Sequence, residues 1–113
     1  MAYRAIHTEP GMRDLKWSGA EKAIARKAFD LALRREFEAV SKKAKHMAAH
    51  IEQPTDLWRL ENFLTKSREE IDRQYDYRYS VLPGVFADLI HKGRLRDEDL
   101  TGLENDKLKY IRE

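Results

Sequence analysis

The chain has 113 residues, enough for one domain with a modest core. Charged residues make up 37% and hydrophobic residues 42%, while five glycines and three prolines supply too few turns for a sheet sandwich. A formal charge of +2 does not make nucleic acid the default partner, and the absence of cysteine excludes disulfides, thiolate catalysis and cysteine-based metal sites.

Residues 1–17 carry no periodicity and include Pro10–Gly11, so they read as a flexible N-terminal tail. Arg4, Glu9, Arg13, Asp14 and Lys16 keep this stretch from forming the apolar region of a targeting peptide. Nothing in the chain approaches the roughly 20 apolar residues of a membrane span. The expectation is a cytoplasmic protein without a membrane partner, whose residues 18–113 form a single all-helical domain.

Ser18 followed by Glu21 is a capping box, in which hydroxyl and carboxylate satisfy each other's backbone amides. Trp17, just before the cap, is placed to staple onto the first turns. From here a helical pattern runs over 18–53, with Ala25, Phe29, Leu33, Phe37, Val40, Ala44, Met47 and Ile51 spaced three or four apart. Pro54 is expected to end it, because proline disfavours helical geometry in the residue before it. A helix of about 34 residues is roughly 50 Å long, whereas a compact monomer of this size is about 34 Å across. The apolar stripe runs the whole way, so the overhang needs cover from another chain. An antiparallel homodimer, its first two helices forming a bundle, is the simplest closed solution.

A second helix is expected over 55–78, starting near Thr55 as cap with Asp56 at the positive helix end. Leu57, Leu60, Leu64, Ile71 and Tyr75 form its stripe. Leu33, Phe37, Val40, Leu57, Leu60, Leu64, Arg68 and Asp72 are the candidate dimer interface. Arg68 falls within the stripe, almost over Leu64. A guanidinium keeps its charge, so burial there requires a partner: Asp72 one turn on, or a group from a second chain. The alternative is an exposed arginine whose stem covers apolar surface. Trp58 flanks the stripe, and tryptophan and arginine are the types most enriched in interface hot spots.

Residues 80–113 are expected to form a small helical head. Pro83–Gly84 breaks the chain before a short helix through Val85, Phe86, Leu89 and Ile90, closed by Gly93. A last helix follows over roughly 96–110, with a weak point at Gly102. Tyr75, Tyr77 and Tyr79 lie where the second helix meets the head, either as interaction surface or as ordinary packing.

Other chemistry finds little support. His46 and His50 have the spacing of a shared metal site, but Met47-Ala48-Ala49 between them lacks the glutamate of the zinc-protease motif, so no metal is expected. The basic runs Arg26-Lys27, Arg34-Arg35 and Lys42-Lys43-Ala44-Lys45 are interleaved with Asp30, Glu36 and Glu38, as on a solvated helix face. No helix-turn-helix signature or stacking platform accompanies them, so no nucleic-acid partner is expected. Glu69-Glu70-Asp72 and Asp97-Glu98-Asp99 have no neighbouring nucleophile or phosphate loop, and the chain does not read as an enzyme.

The run Asp56-Leu57-Trp58-Arg59-Leu60, then Phe63-Leu64, then Arg68, Ile71 and Asp72, resembles the fluorescence recovery protein family. Tyr75-Asp76, Arg78, Ser80-Val81, Val85-Phe86-Ala87, Leu89, Lys92 with Gly93, Glu98-Asp99-Leu100-Thr101 and Asp106-Lys107 continue it, and Trp17-Ser18 with Ala20-Glu21 matches its opening. The resemblance implies a small, all-helical, dimeric regulator without a cofactor. Such proteins bind the photoactivated orange carotenoid protein of cyanobacteria, speed its return to the resting form and so end quenching at the phycobilisome. Trp58, Glu61, Asn62 and Arg68 would form the central partner patch, with Val85, Phe86 and Leu89 contributing a head contact. Two departures stand out: Glu61-Asn62 where the family pattern has His-Asp, and Pro83-Gly84 in place of a bulky apolar pair. They motivate an alternative, a diverged member that keeps the dimer and binds an unrelated protein in a host without carotenoid photoprotection.

Overall fold

The computed structural model describes residues 11–112. It is all-helical among them: α1 (Gly19–Ala49), α2 (Pro54–Gln74), α3 (Leu82–Lys92) and α4 (Asn105–Ile111), with short 3-10 turns at Met12–Asp14 and Asp97–Leu100. The molecule measures 53 × 25 × 19 Å, with a radius of gyration of 16.7 Å. A compact chain of this length has about 13 Å, so the molecule is elongated.

Each helix end has a local cause. Ser18 Oγ accepts from the Glu21 amide at 3.1 Å and Glu21 Oε1 accepts from the Ser18 amide at 3.0 Å, completing the capping box at the start of α1. The helix stops at Ala49, short of the expected residue 53. Pro54 is the first residue of α2, where its missing N–H costs nothing. Gln53, not Thr55, is the cap of α2, and Asp56 accepts from the amides of Glu52 and Gln53 at 3.1 and 3.0 Å. Those two bonds, with Arg59 beside it, lower the pKa of the Asp56 carboxyl. α2 ends at Gln74 rather than 78, and an extended stretch carries Tyr75 and Tyr77 back along α1.

The head is built on α3. Pro83-Gly84 does not break the chain ahead of this helix but forms part of its first turn, where proline is tolerated. Gly93 ends it at φ 87°, and the amides of Gly93 and Arg94 close back on Ile90 and Leu89. The expected last helix divides into the 3-10 turn and α4, separated by Gly102 at φ 105°.

One core cluster joins α1 to the head. Ala25, Ala28, Phe29 and Ala32 of α1 meet Leu82, Val85, Phe86 and Leu89 of α3, with Leu95, Leu100, Leu103 and Ile111 closing the cluster. The α1 alanines leave room for the larger side chains opposite, and burying each Leu, Val or Phe contributes about 1.5–3 kcal/mol. Tyr75 and Tyr77 pack edge-on against Phe29 at 5.6 and 4.9 Å, and Tyr79 lies against Trp17 at 5.4 Å. These tyrosines are therefore packing elements on the flank of the core.

The segment expected as a tail is partly built into the head. Met12 is buried beside Ala87, with Leu15 and Tyr110 packed around them. Residues 1–10 of the expected tail lie outside the described residues.

Candidate protein-interaction surface

α1 has two apolar registers. Ala25, Phe29 and Ala32 face the head, and Glu36 continues their line as a buried carboxylate. Leu33, Phe37, Val40 and Met47 follow a different line. Leu33, Val40 and Met47 are half-buried, and Phe37 is 52% exposed. An open groove of about 570 Å³ runs beside Leu33 and Phe37, edged by Arg34, Ser41, Lys42 and Lys45.

α2 returns along the outer half of α1 and contributes no fully buried residue. Leu57, Trp58 and Leu64 are 46%, 61% and 43% exposed, while Leu60, Phe63 and Ile71 are half-buried. Phe37, Leu57, Trp58 and Leu64 are thus four large apolar side chains left open on one helical hairpin, which makes the hairpin the candidate interaction surface.

The polar candidates lie on the same helix. Glu61, Asn62, Arg68 and Asp72 are all exposed. No ion pair joins Arg68 to Asp72 among the described residues, so the same-helix partner considered for Arg68 is not engaged. Both groups stand open at the surface. Val85, Phe86 and Leu89 are placed differently: each is 0% exposed at the centre of the head. Their apolar surface is consumed by α1 and α4, which leaves none for a partner in this structure. They hold the head together.

The hairpin is joined to the head by a polar hub that no local sequence pattern announces. Lys92 Nζ lies 3.1 Å from Glu36 Oε2 on α1, 2.6 Å from Glu70 Oε1 on α2 and 3.0 Å from Gln74 Oε1. Arg94 Nε pairs with Glu36 Oε1 at 3.2 Å, off the line of a hydrogen bond. Tyr75 Oη lies 3.0 Å from Glu36 Oε1 and 3.1 Å from the Ala32 carbonyl. Burial and the Glu36 charge push the Tyr75 phenol well above its ordinary pKa, whereas the Lys92 hydrogen bond lowers the pKa of Glu70. A crevice of about 410 Å³ lies beside the hub, lined by Val40, Lys43, Phe63 and Lys66 among others. Glu36 did leave a signal in the sequence, as a charge in register with Ala25, Phe29 and Ala32.

The histidine pair forms a local contact. His46 and His50 have ring centroids 4.3 Å apart, and His50 Nδ1 is 2.7 Å from the His46 carbonyl. Among the described residues no group of three or more His, Cys, Asp or Glu side chains is arranged to hold a metal, and no helix is long and apolar enough to cross a membrane.

The family model described as "photoprotection regulator fluorescence recovery protein" matches residues 17–113. The chain belongs to the fluorescence recovery protein family. It is 41% identical over 96 residues to the fluorescence recovery protein of Synechocystis sp., covering 85% of this chain and 88% of that protein. The solved structure of the Fremyella diplosiphon fluorescence recovery protein superposes with a TM-score of 0.82 at 45% identity, covering 86% of this chain and 95% of that one. The Synechocystis structure gives the same TM-score at 40% identity and the same coverage. The family match begins at Trp17, where the α1 capping box starts, and takes in the hairpin and the head together. Membership agrees with the all-α fold and identifies the chain as a relative of a regulator.

Proposed function

We propose that this protein is a non-enzymatic homodimer that binds photoactivated orange carotenoid protein and accelerates its return to the resting state. The observation that carries the reading is α2, a helix of 21 residues with none fully buried, which leaves Leu57, Trp58 and Leu64 exposed on the same hairpin as the exposed Phe37 of α1. Two copies packed through this face would cover the overhang, and an isologous contact of this kind is self-complementary. Family membership supplies the partner class. The exposed side chains Trp58, Glu61, Asn62 and Arg68 would then form the recognition patch.

A binder shifts a conformational equilibrium only through differential affinity for its states. To accelerate relaxation, the dimer must also favour the transition state in which the partner's domains reassociate. No cofactor is required, since the work is positional. Sedimentation of the protein alone, then with resting and photoactivated carotenoid protein, tests this reading. The expected result is a dimer that associates with the photoactivated form more tightly than with the resting one. Equal association with both forms, or none, would overturn it.

Glu61 and Asn62 favour a second reading. Both are exposed on the face proposed for contact, where the family pattern carries His-Asp. A changed pair at that place suits a member that keeps the dimer and binds an unrelated protein partner.

A further inference from the structure

We propose that Lys92 is a positioning residue that sets the angle between the α1–α2 hairpin and the head, and thereby the shape of the dimer face. This deepens the dimer reading above and rests on it. Lys92 extends from the C-terminal end of α3 and meets carboxylates from two other helices at once, Glu36 of α1 and Glu70 of α2, together with the Gln74 amide. α2 has no fully buried side chain to fix its placement, only half-buried ones such as Leu60, Phe63 and Ile71 along the hairpin. Its registration against the head therefore depends on directional polar bonds in a way that the placement of α3, seated in the core, does not.

The chemistry of the hub supports the role. Glu36 and Glu70 lie within hydrogen-bonding reach of the same ammonium, so removing that charge sets two carboxylates against each other. Arg94 stays with Glu36, and Tyr75 still reaches the same carboxylate. Glu70 keeps no such short contact, only the more distant charges of Arg73 and Arg94. Loss of Lys92 thus releases α2 selectively, while α1 and the head remain joined through their apolar cluster. Lys92 and Glu36 are 24% and 5% exposed and Glu70 49%, so solvent weakens the Lys92–Glu36 pair far less, and the Lys92–Glu70 pair somewhat less, than the Arg59–Asp56 pair near the start of α2.

The chain contains no cysteine, so paired spin labels can be introduced at Thr65→Cys on α2 and Lys109→Cys on α4, both exposed positions. Labelled protein is diluted into unlabelled protein so that pulsed dipolar spectroscopy reads distances within one chain. Lys92→Met should broaden or shift the distance distribution while helix content by circular dichroism is retained. Its dimer dissociation constant should rise about tenfold. Lys92→Arg should restore most of the wild-type distribution. Glu70→Gln, which leaves the Glu36–Lys92 pair in place, should broaden it as well and stands in if Lys92→Met does not fold. Arg59→Met removes an α2 ion pair that does not touch the head and should change nothing. An unchanged distribution in Lys92→Met and Glu70→Gln, or equal broadening in Arg59→Met, would overturn the proposal. A protein that is monomeric in every form would refute the dimer reading instead, and the distances within one chain would still decide the role of Lys92.

Discussion

Lys107 and Glu21 form a buried ion pair between α4 and the first turn of α1, with Nζ 3.0 Å from Oε1. The Glu21 carboxylate also accepts from the Ser18 amide and, through Oε2, from the Glu104 amide at 2.9 Å. One side chain thus serves the N-terminal ends of two helices, with Glu104 as the cap of α4. Lys107 completes its own set with the Lys16 carbonyl and with Asp106 at 3.1 Å, and its ammonium lies 5.5 Å from the Trp17 ring. Replacing it as Lys107→Met leaves a buried carboxylate without its cation. The expected cost is about 3 kcal/mol, read as a lower urea midpoint. A loss below about 0.5 kcal/mol would place the pair in solvent.

Acid should destabilise this fold before base does. Burial opposes the charge on Glu21, but amides from Glu104 and Ser18 and the Lys107 ammonium outweigh it, so its pKa is lowered from the ordinary 4.5. Glu70 is lowered by Lys92, and Asp99, despite burial, by Arg35 and the Arg96 amide. Groups depressed on folding contribute their full stability above their unfolded pKa values, 3.8 to 4.5 here, and lose it as pH falls through the folded ones. Burial opposes the charge on Lys107 too, yet Glu21 and Asp106 raise it above 10.5, so its contribution persists through neutral pH and fades only above that value. Thermal melts should show a plateau across neutral pH and a steep decline below about pH 4.5. A decline beginning near pH 6.5 would point instead to histidine.

Gly102→Ala tests the turn that separates the 3-10 segment from α4. The residue holds φ 105°, and an added Cβ would come 2.6 Å from Ile24 Cδ1. Backbone strain and contact together should cost about 2 kcal/mol. A neutral outcome in urea denaturation would mean that the turn relaxes to another conformation.

Much of this architecture was legible in the sequence because it rests on local signals. Ser18 and Glu21 announced the start of α1, Gly93 the end of α3, and the spacing of Leu57, Leu60 and Leu64 the stripe on α2. Pro54 was harder, since a proline between two helical patterns suits the end of one and the first turn of the next. The full burial of Val85, Phe86 and Leu89 is not legible locally, because apolar spacing does not distinguish a core face from an exposed one. Met12 gave no periodic signal, being a single anchor in an irregular segment. Lys107–Glu21 and Lys92–Glu36 join distant parts of the chain, and no local pattern encodes such pairs.

Arg68 separates the interface reading from the exposed-arginine alternative. It is exposed on the helix that carries Leu64, and Arg68→Glu reverses its charge with little effect expected on the isolated chain. The dimer or its partner complex should weaken about tenfold or more, measured by sedimentation and by binding titration. Unchanged values in both assays would leave Arg68 as a solvated side chain.

The regulatory claim is met most directly by following photoactivated orange carotenoid protein in the dark by absorbance, with this protein added at equal concentration. Faster return to the resting spectrum is expected, and Phe37→Glu, which places a charge in the exposed face, should diminish the effect. No acceleration by protein shown to be folded and dimeric would contradict the account and turn attention to a different protein partner.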